Sequence, residues 1–274
     1  MKEFTHKNPR DLGDIITDTF AYIRLHYKSL GKGLIYFVLP LFLVSSLLVG
    51  NAYSDLFDFT INNPNDIPNN ILGADFWGGL LLTLFATVTI FTITLKHIEL
   101  SQYNTEIEAM DLTEDFGRNF INLFLMYIVV LVSVFVSMFF FIIPGIYIGV
   151  KFFLGPAAAI IEDKNPIDGL SRSWNLTQDN WWISFGTYIV LYIITTMMSY
   201  VLVIPFSIII GLFAATGAES SAGLSSTIGI FYGLMIVISS LFSVIMIIGM
   251  ALHYFNLVER KEGSGLRAQI EELG

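Results

Sequence analysis

The sequence predicts an all-α fold: a polytopic membrane helix bundle with six transmembrane helices and amphipathic helices on its cytoplasmic interface. Three observations predict it. Of the 274 residues, 54% are hydrophobic and only 14% charged, with a mean hydropathy of +0.69, which is membrane-protein composition. Apolar runs long enough for the roughly 20 helical residues that cross about 30 Å of hydrocarbon recur along the chain. Finally, 13 of the 14 lysines and arginines fall in alternate connections between those runs, the asymmetry expected of cytoplasmic loops. The whole chain, 1–274, reads as a single integral membrane domain.

Apolar runs bounded by breakers give the six spans, at about 34–49, 76–95, 120–143, 145–161, 183–210 and 227–255. All are expected to be helices, because open strands leave backbone groups unsatisfied in lipid. The fourth carries both Lys151 and Pro156, so full crossing and a kinked, re-entrant path are both open to it. With both termini cytoplasmic, Lys2, Lys7, Arg10, Arg24, Lys28, Lys32, Lys96, Arg118, Lys164, Arg172, Arg260, Lys261 and Arg267 all lie inside, which requires an even number of crossings. The start, MKEFTHKNPRDLGD, lacks the order of a cleavable signal, so insertion by the first span is expected.

Between the spans, the outer segments are rich in Asn, Asp, Pro and small residues. Their acids Asp55, Asp58, Asp66 and Asp75 read as solvated turn residues. Amphipathic stretches precede the first, third and fifth spans. In residues 11–30, Leu12, Ile16, Ile23 and Tyr27 oppose Asp11, Asp14 and Asp18; IEAMDLTEDFGRNF shows the pattern less clearly. Residues 165–182 show it best, with Ile167, Leu170, Trp174 and Trp181 opposing Asp168, Arg172, Asn175 and Asp179. Asn165 is placed to cap that helix and Pro166 suits its first position. These segments should lie on the inner leaflet, and residues 256–274 should form a cytoplasmic tail.

Little in the chain resembles catalytic machinery. His6, His26, His97 and His253 lack metal-ligand spacing and read as markers of membrane boundaries. HExxH, GxSxG and a phosphate loop are missing from the sequence, as is cysteine. No metal, no cofactor and no enzyme activity are therefore expected, and a net charge of −9 speaks against nucleic acid. Gly145 and Gly149, like Gly229 and Gly233, have the GxxxG spacing that lets helices approach closely, either within the chain or in a dimer. Trp181 and Trp182 read as anchors at the membrane surface. Lys151 is the one cation inside a span, and the expected accounts of it are snorkelling to phosphates or pairing with Asp75, with Asp55 and Asp58 as reserves.

The block IIPGIYIGVKFFLGPAAAIIEDKNPIDGLSRSWNLTQDNWWISFG resembles bacterial integral membrane proteins related to the glycerophosphoryl diester phosphodiesterase membrane domain. The residues that carry the resemblance are a Pro144–Gly145 turn, Lys151, Pro156, Glu162, the Arg172–Ser173–Trp174 helix, and Trp181 and Trp182. It implies a location in the bacterial cytoplasmic (inner) membrane, without the catalytic domain of the namesake. The expected function is a noncatalytic scaffold or subunit of a membrane complex. Its expected partners are membrane lipids and other membrane proteins or a cytoplasmic ATPase. A carrier or lipid-handling protein is the main alternative, and a membrane-embedded enzyme a further one.

Overall fold

A computed structural model describes residues 8–61, 73–104, 106–215 and 222–263, and within them every regular element is helical. Six stretches, 12–56, 74–100, 116–140, 142–161, 181–209 and 231–262, are long and apolar enough to cross a membrane. The chain is thus a multi-pass membrane protein by helix length and composition. Lys2, Lys7, His6, Asp66, Arg267 and the side chain of Asp58 lie outside the described residues.

Ten helices can be followed: α1 (Leu12–Gly33), α2 (Leu39–Ile61), α3 (Ala74–Leu100), α4 (Phe116–Phe140), α5 (Ile142–Phe152), α6 (Gly155–Ile161), α7 (Pro166–Thr177), α8 (Trp181–Ala215), α9 (Ala222–Leu241) and α10 (Ser243–Glu262). They fall into two compact units. The first takes Met1–Gly33, Phe91–Ile193 and Val244–Gly274. Its core is α10, buried almost continuously from Val244 to Glu259, and Gly249 leaves room there for Leu191 of α8. The second takes Leu34–Ile90 and Ile194–Ser243. In it α9 lies tightly against α2, since a Cβ at Gly229 or Gly233 would strike the carbonyl oxygens of Gly50 and Ser46. That glycine pair serves packing within the chain. Tyr53 and Tyr232 add a ring contact at 4.4 Å.

Several sequence-based boundaries move. No loop separates α1 from α2; a π-helical turn, Leu34–Val38, joins them, and such turns arise as single insertions in a helix. The side of α1 turned into the protein is Ile15, Thr19, Tyr22, Leu30 and Gly33, where the Tyr22 hydroxyl bonds to His97 and Ser101; Tyr27 of the expected apolar stripe is 59% exposed. IEAMDLTEDFGRNF forms a single 3-10 turn, Asp111–Thr113, before α4. The expected sixth span is two helices that part at Phe242, and helix continues to Glu262 in place of a tail from 256.

The turn expected at Pro144–Gly145 lies instead at Phe141, an extended residue between α4 and α5. Pro144 occupies the first turn of α5, where a missing N–H has no intrahelical partner to lose. Gly145 meets Met138 of α4 and Gly149 touches Val134, so this pair too packs inside the chain.

Candidate functional site

The site is built where one apolar run breaks. Between α5 and α6, Pro156 cannot donate a backbone hydrogen bond, and the helix is interrupted at Phe153 and Leu154. A buried break needs polar partners from elsewhere. Ser173 of α7 supplies both: its hydroxyl accepts from the Leu154 N–H at 3.1 Å and donates to the Lys151 carbonyl at 2.7 Å. Ser173 is fully buried, and the Thr177 hydroxyl donates to its carbonyl at 2.8 Å.

Sequence and close packing place α7 there. Asn165 caps it by accepting from the Asp168 N–H at 2.9 Å, with Pro166 in the first turn, as the sequence predicts. The turn before it ends α6 in a Schellman arrangement: Lys164 N–H donates to the Ala159 carbonyl and Asp163 N–H to that of Ile160. Asp163 takes the left-handed backbone at φ 50, usually a glycine's place, and its carboxylate pairs with Arg118 at 2.9 Å. Arg118 also holds Asp115, the other left-handed aspartate, at 3.0 Å. At Gly155 and Gly169, a Cβ would press into Leu170 and Met126, so α6 and α7 meet through bare backbone.

Lys151 is 1% exposed. Its ammonium donates to the Trp174 carbonyl at 3.5 Å and sits 5.1 Å from the Trp174 ring and 5.6 Å from that of Tyr147. Desolvated contacts of a cation with aromatic faces are worth about 2 kcal/mol or more. Trp181 completes the wall, stacking on Tyr147 at 5.6 Å and donating from Nε1 to its carbonyl at 3.3 Å. Trp182 remains exposed. Asp75 lies in the second unit, where it accepts a bond from Asn51 at 3.4 Å, and Asp55 is exposed on α2. The groups in contact with the Lys151 ammonium are rings and a carbonyl, and the charges of Asp179 and Lys261 act on it from farther off.

A charged cluster closes the other end of α6. Glu162 accepts from Arg172 Nε at 2.9 Å and from the Tyr254 hydroxyl, and Lys164 approaches it at 3.4 Å. Arg172 reaches Glu262 at 2.6 Å, and Lys261 donates to the Asn175 carbonyl at 2.9 Å. Burial alone would push the Glu162 carboxyl up; bonds from Tyr254 and Arg172, with the charges of Arg172 and Lys164, hold it below its ordinary value. The Arg172 guanidinium, disfavoured by burial, is raised overall by Glu262 and Glu162. Beside this cluster the N-terminal segment docks on α10: Arg10 N–H donates to Asn256 at 2.8 Å, and Arg260 donates to the Arg10 carbonyl at 2.8 Å.

Most of the motif residues therefore converge: Lys151, Ser173, Trp174 and Trp181 around the helix break, Glu162 and Arg172 at its lower end, with Pro144 and Gly145 on the α4–α5 hairpin. The side of α7 turned into the protein is Gly169, Leu170, Ser173, Leu176 and Thr177, while Ile167, 63% exposed, and Trp174 of the expected apolar stripe remain exposed. Hydroxyls sit inward because the broken helix needs them. Sequence reasoning missed Tyr254 and Glu262; their eight-residue separation puts them on one face of α10, the one signal available. Two of the histidines are buried in the protein. His97 is buried between the hydroxyls of Tyr22 and Ser29 at 2.7 and 2.8 Å, and His253 lies buried 3.0 Å from Ser184.

Comparison with known proteins gives one match, a model for a domain of unknown function (DUF7847) that covers residues 117–257. No curated protein and no solved structure matches, and nothing found links the chain to the glycerophosphoryl diester phosphodiesterase membrane domain. The matched segment spans α4 to most of α10, takes in the broken helix, α7 and Glu162, and amounts to 141 of 274 residues, just over half the chain. The chain therefore belongs to the family of the domain of unknown function DUF7847.

Proposed function

We propose that the chain is a noncatalytic subunit or scaffold of a bacterial inner-membrane complex, with both termini cytoplasmic and its amphipathic segments at the cytoplasmic leaflet. One observation carries this reading. In α4, Ile121, Leu125, Ile128, Val132, Phe135 and Phe139 recur at alternating spacings of four and three and are all exposed. That is the seam spacing of helices that pack side by side. Only 11% of the apolar stretch of α4 is buried, against 50% for α3. A face so regular and so little used within the chain suits a second membrane protein.

The topology is supported by the ion pairs of the first unit, which draw together residues 10–18, 96–118, 162–172 and 256–262, all assigned to the cytoplasmic side. The chain has no native cysteine, so Asn63→Cys should react with an impermeant reagent from outside and Lys164→Cys should not. Kinship with membrane proteins of the glycerophosphodiesterase-related type belongs to the same proposal and rests on the motif residues alone. Affinity purification in mild detergent at native expression tests the subunit reading. A second membrane protein should co-purify and crosslink through Leu125→Cys or Val132→Cys; recovery of this chain alone and monodisperse would overturn it.

A carrier or lipid-handling role is the second reading, favoured by a buried cation beside a broken helix, the arrangement in which transporters bind substrates. Uptake or lipid scrambling in liposomes that is lost in Lys151→Met would establish it.

A further inference from the structure

Arg24, Lys28 and Lys32 form a row on α1 at four-residue intervals and are exposed. Among the described residues they stand apart: every other arginine and lysine has a carboxylate, carbonyl, amide or pair of rings as partner, whereas none of these three has an ion pair or a hydrogen bond. Lys28 has only the ring of its neighbour Tyr27, at 5.8 Å. The acids of the helix, Asp11, Asp14 and Asp18, are all in its first two turns, and Asp18 is taken by Arg10 at 2.7 Å. The cationic half of α1 thus adjoins the apolar run that begins at Leu34. Lys32 is two residues from that run and Arg24 ten, or about 3 to 15 Å along a helix, distances that the long lysine and arginine stems can shorten toward the roughly 8 Å over which surface charge is felt at physiological salt. Leu25 and Tyr27, 52% and 59% exposed, flank the row, which is the pairing of basic and apolar side chains that seats a helix among headgroups.

We propose that Arg24, Lys28 and Lys32 form a binding site for the phosphate headgroups of anionic phospholipids, on the leaflet where the Leu34 run enters the membrane. Charge complementarity selects that occupant. Three cations without an ion pair among the described residues, in a chain of net charge −9, lie beside the apolar run, where lipid phosphates are the nearest concentrated anions. The site does not depend on the subunit reading.

The full-length chain in uncharged detergent, titrated with phosphatidylglycerol or phosphatidylcholine of the same acyl chains and followed by native mass spectrometry, tests the site. Each cation near an anionic surface contributes about fivefold, so three contribute about a hundredfold. The wild type should retain phosphatidylglycerol preferentially. R24Q/K28Q/K32Q should lose about a hundredfold of that affinity with an unchanged melting temperature, and R24K/K28R/K32R should keep it. Equal retention by the glutamine variant, no preference in the wild type, or loss in the charge-conserving variant would each overturn the proposal. So would displacement of the lipid by inorganic phosphate, which marks a free-anion site, or a co-purifying protein lost from the glutamine variant while no phosphatidylglycerol binds.

Discussion

Replacing Ser173 by alanine removes one oxygen and strands two backbone groups. The Leu154 N–H loses its acceptor at 3.1 Å and the Lys151 carbonyl its donor at 2.7 Å, in a place no water reaches, since Ser173 and Leu154 are fully buried. Each buried polar group left without a partner costs about 1–3 kcal/mol. Allowing for partial relaxation, S173A should lower stability by about 2–4 kcal/mol. The local readout is hydrogen exchange at the Leu154 amide, which should accelerate by about 30- to 1000-fold, because 1.4 kcal/mol corresponds to a factor of ten. Thr177→Ala is the control. Its hydroxyl donates to the Ser173 and Trp174 carbonyls, which lie within the helix, so its loss should stay below about 1 kcal/mol. If Leu154 exchanges at the wild-type rate in S173A, the break is satisfied in some other way and Ser173 is not what turns the hydroxyl side of α7 inward.

Gly169→Ala should destabilise by about 1–3 kcal/mol, because the new methyl meets Met126 at 2.9 Å and Ala159 at 3.2 Å; a melting temperature in detergent equal to wild type would refute this. For Glu162 the folded carboxyl is depressed below its ordinary value of 4.5. Its contribution is therefore complete above that pH and lost as the pH falls through the folded value. E162Q should flatten the acid limb of a stability–pH curve, and an unaltered limb would count against the cluster. Lys151→Met keeps the packing between Tyr147 and Trp174 and breaks no contact ion pair, so stability should hold or rise; a fall of more than about 2 kcal/mol would show that the attraction between the ammonium and the more distant Asp179 carries weight.

Six apolar helices were legible because a span announces itself locally: a continuous apolar run in lipid has no alternative to helix. The cap at Asn165–Pro166 was legible for the same reason, being decided within four residues. Features set by distant neighbours were not. The side of α7 that enters the protein is fixed by Ser173 and by the bare backbone at Gly155 and Gly169, which an apolar stripe of Ile167, Leu170 and Trp174 does not announce. Pro144 with Gly145 looked like a turn, but proline is equally at home in the first helical turn, and nothing local distinguishes the two. For Lys151 the sequence left snorkelling and pairing with an acid both open, because aromatic rings brought in by α7 and the start of α8 leave no mark in the periodicity.

The dependence of the α5–α6 break on Ser173 bears on the order of synthesis. When α6 first leaves the ribosome, the hydroxyl that satisfies Leu154 and Lys151, 12 residues behind Ile161, is still inside the exit tunnel. Until then the segment carries an unmet donor and acceptor, and hydrocarbon is a poor place for either. Nascent chains arrested at the length where α6 has emerged and α7 has not should therefore leave residues 142–161 open to protease, whereas chains arrested with α7 fully emerged should protect them. Equal sensitivity at the two lengths would show that the broken helix inserts without its patch.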